Sequence, residues 1–310
     1  MNAIEINSLT KNFKNSTAVD NISLSVEEGE IFGFLGPNGA GKSTTMMILT
    51  TLLKPTSGNA SVYGHDVITN PSNVRKNIGF VQQEIGIDEY LTARENLQFQ
   101  CKISQIPKEQ TQKRIEEVID LVELTEKQDE QSITFSGGMR KRLDIACGLI
   151  HRPKVLFLDE PTVGLDIQTR RKIWEYIRKI HKEFGMTIFV STHYMEEAET
   201  VSDKIAIINA GKLVLQDDTK RLKGKLGRKR LIFSIDEQIQ GIPRDLSELG
   251  VKVSASQSSL EFDMRDPFGD ASLSLIISKF HENEISINNI SVSERSLEDI
   301  FVDLVKENEK

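Results

Sequence analysis

Residues 36–43 run Gly36-Pro37-Asn38-Gly39-Ala40-Gly41-Lys42-Ser43, a complete Gly-x-x-x-x-Gly-Lys-Ser loop. Just before it lies Ile31-Phe32-Gly33-Phe34-Leu35, an apolar run of buried-strand type. Just after it, Thr44-Thr45-Met46-Met47-Ile48-Leu49 opens a helix. A chance Gly-rich turn does not bring a strand on one side and a helix on the other. The loop therefore constrains the local fold to strand, turn and helix. Successive backbone N–H groups turn toward one point, where the helix N-terminus adds partial positive charge. Such a concavity binds phosphate. In it Lys42 reaches β- and γ-phosphates, the Ser43 hydroxyl ligates Mg²⁺, and Thr44 continues the row of amides.

A second group of residues narrows the chemistry. Val155-Leu156-Phe157-Leu158 is another apolar strand-like run, and it ends in Asp159-Glu160. A carboxylate at the end of a buried parallel strand can hold the same Mg²⁺ as Ser43. Glu160, one residue on, is placed to polarise an attacking water as general base. Upstream, Phe135-Ser136-Gly137-Gly138-Met139 precedes a helix-like stretch beginning at Arg140, which makes a second anion cradle at a helix start. One nucleotide needs one γ-phosphate cradle. Two in a chain make sense if one serves the nucleotide of a facing copy.

These motifs, in this order, resemble the ATP-binding cassette (ABC) ATPases, the nucleotide-binding subunits of ABC transporters. Residues 135–139 match the signature motif, with Phe135 for the usual Leu and Met139 for the usual Gln. Asp159-Glu160-Pro161-Thr162 matches the extended Walker B motif, and Gly164-Leu165-Asp166 the D-loop. Ser191-Thr192-His193 matches the switch histidine, and Gln83 the Q-loop glutamine, with Gln82 beside it as the alternative. Phe13 sits where the family places an adenine-stacking aromatic, although a core aromatic would read the same. Asp166 would also serve as an ordinary helix N-cap. The resemblance covers roughly residues 3–220.

The resemblance implies an α/β phosphate-loop core with an antiparallel β subdomain and a helical subdomain. It implies ATP and Mg²⁺ as cofactors, a second ATPase subunit (a homodimer or a related paralogue) and an integral-membrane permease. In that assignment Gln83 contacts Mg²⁺ or water and senses the permease. His193 stabilises the γ-phosphate, and Ser136, Gly137 and Gly138 contact the γ-phosphate of the other subunit. The stretches 139–143 and 294–301 resemble the drug-resistance-type exporter branch. Two rivals are a soluble non-transport ABC ATPase and a phosphate-loop kinase. The former usually carries two cassettes or a long coiled coil, and no sustained heptads lie between Ser43 and Ser136. A kinase does not need Ser136-Gly137-Gly138, Glu160 and His193 in this arrangement. His65, His151, His181 and His281 receive no function.

Composition fits a water-soluble enzyme: 38% hydrophobic and 27% charged residues. No apolar run approaches the roughly 18 residues that span a bilayer. The first residues lack a signal-peptide pattern. Only Cys101 and Cys147 occur, without metal-ligand spacing, so a cytoplasmic protein with free thiols is expected, peripheral on the membrane through its permease. The net charge of −7 argues against nucleic acid as a general partner.

The chain organises as an ABC ATPase domain over residues 1–220, with a helical subdomain at about 86–152. A basic stretch at 221–230, bearing Lys223, Lys225, Arg228, Lys229 and Arg230, is expected to be a solvated linker, with a membrane-surface or permease contact as the alternative. Residues 231–310 suggest a small α+β accessory domain of ferredoxin-like type, closing with a helix that has Leu297, Ile300, Phe301 and Leu304 on one face.

Overall fold

Strict alternation within three short apolar runs gives the protein a central sheet covered on both faces. The computed structural model describes residues 1–226, 229–235, 243–248, 251–253, 259–263, 271–294 and 297–298. These fall into two units, Met1–Thr219 and Lys220–Lys310.

The first unit opens with the strands β1 (Asn2–Phe13), β2 (Ser16–Glu27) and β3 (Ile31–Leu35), followed by helix α1 (Lys42–Leu49). Strands β4 (Ser57–Val62) and β5 (His65–Asp66), helix α2 (Pro71–Asn77) and strand β6 (Ile78–Val81) follow. Three helices come next: α3 (Ala93–Ile103), α4 (Lys108–Leu121) and α5 (Gly137–Leu149). The chain then returns to α/β alternation with β7 (Val155–Asp159), α6 (Ile167–Phe184), β8 (Thr187–Thr192), α7 (Met195–Val201), β9 (Lys204–Asn209) and β10 (Lys212–Asp218).

The central sheet has the order β10-β9-β3-β8-β7-β6, parallel except for the β10–β9 pair. Parallel strands are buried on both faces, which explains their continuous apolar sequences. In β7, Val155 and Phe157 join one core, whereas Leu156 and Leu158 join the other. The first core stacks Phe32 and Phe189 with ring centroids 5.3 Å apart and adds Phe34 and Phe157. It also takes the inner residues of a separate antiparallel sheet of order β2-β1-β4-β5. The second core packs residues of α3, α4, α5 and α6. Ile173, Trp174, Ile177 and Ile180 form the buried stripe of α6, at the spacing of an amphipathic helix. This α6 starts at an Asp166 N-cap and stops at Gly185, whose φ of 58° gives the left-handed C-terminal turn.

The second unit begins with α8 (Thr219–Leu226), which spans the unit boundary. The expected basic linker is therefore helical through Leu226, and strand β11 (Lys229–Ile235) starts soon after. The reason is local: Lys, Arg and Leu are good helix formers, and Leu222 is fully buried rather than solvated. Then come α9 (Arg244–Glu248), β12 (Val251–Val253), β13 (Ser259–Asp263), α10 (Ala271–Glu282) and β14 (Ile287–Glu294). Their sheet order, β12-β13-β11-β14, is antiparallel throughout, so the unit has the βαββαβ ferredoxin-like topology. Leu231, Phe233, Leu260, Ile276 and Phe280 form its core. The expected closing helix lies outside the described residues, apart from Leu297 and Glu298. No helix among the described residues is long and apolar enough to cross a membrane.

Candidate active site

Four motifs that are far apart in sequence follow four neighbouring strands. The phosphate loop follows β3, Thr192-His193 closes β8, Asp159-Glu160 closes β7, and Gln82-Gln83 follows β6. These strands are parallel, so all four motifs emerge at the carboxyl edge of one sheet, where α/β proteins bind ligands.

Glycines shape the phosphate loop for specific reasons. Gly41 has φ 109°, and a Cβ on it would lie 2.3 Å from the Ala18 carbonyl oxygen of the β1–β2 hairpin. A Cβ on Gly36 would lie 2.2 Å from the Ile208 carbonyl oxygen of β9. The loop is thus wedged between two strands that only bare backbone can approach. No side chain caps α1, and its first turn has no acidic residue. Its leading N–H groups are left for an anion.

Lys42 is buried, and its ammonium donates to the Gly36 carbonyl at 2.7 Å and the Pro37 carbonyl at 3.1 Å. It also pairs with Glu160 Oε1 at 3.0 Å. The other oxygen of Glu160 accepts from His193 Nδ1 at 2.6 Å. One carboxylate therefore bridges the phosphate loop and the switch position. Glu160 has φ 46°, a left-handed conformation that costs about 1–3 kcal/mol in a non-glycine residue. Its N–H donates to Ser191 Oγ at 3.0 Å, which holds the turn. The Ser191 hydroxyl in turn donates to Asp159 Oδ1 at 2.5 Å. Sequence reading placed Ser191 in a motif and gave it no site role; its contact follows from the parallel register that sets it beside Asp159.

Other expected residues lie elsewhere. Among the described residues, no hydrogen bond or ion pair joins Phe13, Gln83 or Ser136 to Lys42, Asp159 or Glu160. Phe13 is 48% exposed at the end of β1, with the Lys11 ammonium 5.2 Å from its ring centroid, so it is not a core aromatic. Gln82 and Gln83 are both exposed. Ser136 N-caps α5, its hydroxyl accepting from Met139 N at 3.3 Å. Phe135, in the usual Leu position, is buried in the helical core. Gly137 is open, with only Leu165 Cδ2 within 4 Å of a built Cβ, at 3.5 Å. Gly138 is packed, since its Cβ would lie 2.4 Å from Thr169 Cγ2.

Asp166 adopts the N-cap geometry that was its alternative reading. Oδ1 accepts from Gln168 N and Thr169 N, both at 3.0 Å, and Oδ2 accepts from the Thr169 hydroxyl at 2.6 Å. The Thr169 hydroxyl, then its amide, holds the Asp166 carboxyl below the ordinary Asp range.

A cluster that no motif announced surrounds the residue after His193. Glu197 of α7 accepts from Thr162 Oγ1 and Trp174 Nε1, each at 2.8 Å, and pairs with Arg170 at 3.4 Å. The Arg170 guanidinium also lies 4.6 Å over the Tyr194 ring. The residues flanking His193 are therefore tied to α6 and to the turn after Glu160. Trp174, read from sequence as a packing residue, is buried and hydrogen-bonded as well.

Comparison with known proteins decides the family. Residues 19–163 match the ABC transporter family model. The daunorubicin/doxorubicin resistance ATP-binding protein DrrA of Streptomyces peucetius is 36% identical over 97% of this chain and 92% of its own length. The chain belongs to the ABC transporter ATP-binding proteins. The linearmycin resistance ATP-binding protein LnrL of Bacillus subtilis is 34% identical over 97% of each chain, so the relationship includes the second unit. Among solved structures, the cassette MJ0796, in a dimeric post-hydrolysis state bound to ADP and Pi, superposes with a TM-score of 0.63. It is 28% identical over 70% of this chain and 98% of that one. This ABC protein is an ATP-binding, ATP-hydrolysing subunit on the cassette fold.

Proposed function

We propose that the chain powers export of a drug-like compound through a separate integral-membrane permease, held on the cytoplasmic face of the membrane by that permease. The reading is carried by the Lys42–Glu160–His193 constellation in a chain related along its whole length to drug-resistance ATP-binding proteins. Lys42 and the first-turn amides of α1 bind the β- and γ-phosphates, and Phe13 offers an exposed ring for adenine. Glu160 accepts the proton of the attacking water. His193 faces Glu160 through Nδ1, and an N–H at Nε2 would donate to the γ-phosphate. Gln83 completes the site from the end of β6.

Mg²⁺ fits the donor set. No group of three His, Cys, Asp or Glu side chains among the described residues gathers around an ion, so phosphate oxygens would supply the other ligands. Ser43 and Asp159 are the residues that would hold it, and when bound it would neutralise charge on the phosphate oxygens.

Ser136, Gly137 and Gly138 contact the γ-phosphate of a second ATPase subunit. The exposure of Ser136 and Gly137 supports this, as does the dimeric state of MJ0796. ATP then works as an adhesive between two cassettes, and hydrolysis lets the pair open.

The test is complementation. Cells lacking the chain would be supplied with wild type, Lys42→Ala or Glu160→Gln and exposed to daunorubicin, doxorubicin and linearmycin, and membranes would be probed for the chain. Wild type alone should restore resistance, and the chain should sediment with a membrane protein. Full rescue by Lys42→Ala, or a chain that never sediments with membranes, would sink the export reading.

A further inference from the structure

Helix α5 lies directly against β6. A Cβ on Gly79 would lie 2.2 Å from the Gly148 carbonyl oxygen, so helix and strand meet backbone to backbone. Lys141 and Asp144 precede Gly148 by seven and four residues and share its helix face. From there Lys141 Nζ donates to the Gln82 carbonyl at 2.6 Å and to the Gln83 carbonyl at 3.4 Å. Asp144 Oδ1 accepts from Gly86 N at 3.3 Å. Residues 82–86 are exposed, yet both ends of their backbone are gripped by a pair whose side chains are 4% and 9% exposed.

The pair is a poor stabiliser in itself. Its ammonium and carboxylate are 3.5 Å apart, and Asp144 Oδ2 has no hydrogen bond. Burial pushes Lys141 below the ordinary Lys range and Asp144 above the ordinary Asp range. Buried pairs of this kind are often matched or bettered by apolar residues of similar volume. What an apolar pair would lose is the grip on residues 82–86.

We propose that Lys141 and Asp144 are positioning residues that lock the Gln83 segment to the helix carrying Ser136, Gly137 and Gly138. Gln83 and the second phosphate cradle then move as one body, so a displacement of residues 82–86 reaches the cradle without passing through the nucleotide. Lys141 begins this contact within two turns of the Ser136 cap. The proposal rests on the reading of Gln83 as an active-site residue.

The test uses the full chain. The Lys141→Met/Asp144→Leu pair removes both charges and keeps the core apolar. Lys141→Arg keeps a cation and its donors, and Gln83→Ala is the reference. The apolar pair should bind ATP without Mg²⁺ as wild type does, while kcat falls by about 10- to 10²-fold and more Mg²⁺ is needed for half-saturation. Lys141→Arg should restore most of kcat. Adding Gln83→Ala to the apolar pair should lower kcat no further, because both lesions remove the same placement. Amide exchange should quicken over residues 82–88 and stay unchanged in the rest of the first unit. Should the apolar pair fail to fold, Lys141→Gln, polar but shorter, carries the same comparison.

Wild-type kcat in the apolar pair, with Gln83→Ala impaired, would overturn the positioning role and leave Gln83 in place. So would an additive loss in the triple variant, or exchange that quickens everywhere. Normal kcat in Gln83→Ala would remove the reading beneath the proposal and overturn both together.

Discussion

The ammonium of Lys42 and the carboxylate of Glu160 form a buried ion pair at 3.0 Å, joining the phosphate loop to the end of β7. Together with the Gly36 and Pro37 carbonyls, Glu160 uses all three N–H donors of the lysine. On the function proposed above, a γ-phosphate docking on Lys42 competes with Glu160 and the two carbonyls for these donors, and binding that displaces Glu160 frees the general base in the same event. The pair is held in register by β3, β8 and β7, which are adjacent in the sheet.

Glu160→Gln tests both halves of that event. Turnover should fall by about 10²–10⁴-fold if Glu160 polarises the water. ATP binding should survive, because the competing carboxylate charge is gone. The nucleotide-free variant should melt below wild type, since Lys42 keeps a buried charge without its partner. Its melting temperature should rise more on adding ATP than that of wild type. Steady-state hydrolysis and thermal melts with and without ATP and Mg²⁺ measure this. Near-normal turnover would remove Glu160 from the chemistry.

Lys42→Ala should separate from Glu160→Gln in its binding. Loss of the charge facing the β- and γ-phosphates lowers nucleotide affinity and hydrolysis together. Titration with a fluorescent ATP analogue reads the affinity. Unchanged affinity with unchanged activity would mean that phosphate binds elsewhere.

Gly137→Asp addresses the second cradle. The nearest atom to a Cβ there is Leu165 Cδ2 at 3.5 Å, an ordinary contact, and a carboxylate in the first turn of α5 suits the helix dipole. The variant should therefore fold and bind ATP as a monomer. Dimerisation and hydrolysis should fail, because the carboxylate repels the partner's γ-phosphate. Sizing chromatography with ATP, alongside binding, checks this. ATP affinity as poor as that of Lys42→Ala would show that the cradle acts within its own chain.

Gly138→Ala should behave differently, as a folding lesion. Its Cβ would meet Thr169 Cγ2 at 2.4 Å, and Thr169 cannot turn away without leaving its 2.6 Å bond to Asp166. The expected cost is about 1–3 kcal/mol of overpacking. Thr169→Ser removes the methyl, keeps the hydroxyl, and should recover most of the loss in the double variant. Urea unfolding of the two single variants and the double variant measures the coupling. No recovery would mean that α5 and α6 do not touch at this point.

The division between sequence and structure follows the range of each interaction. Residues 31–49 announce strand, loop and helix because glycine dihedrals and an uncapped helix start are properties of contiguous chain. The apolar stripe of α6 and the Asp166 cap at its start are local for the same reason. The basic stretch read as an irregular linker, whereas residues 219–226 form a helix, with Leu222 buried, that its Lys, Arg and Leu residues favour.

From its sequence alone the chain determined the phosphate-loop motif, the carboxylates after β7, the Gly-Gly turn that opens α5, the family they belong to and the order of the described elements of the second unit. Only the tertiary structure decided that one Glu160 carboxylate holds both Lys42 and His193, that Ser191 holds Asp159, and that Lys141 and Asp144 grip residues 82–86. It also decided that Gly138 is bare because Thr169 lies against it. Each of these contacts joins residues from separate elements, and their meeting depends on strand order, parallel register and the close approach of α5 to β6. Those are set by how the apolar faces pack against one another, which no local run of residues encodes.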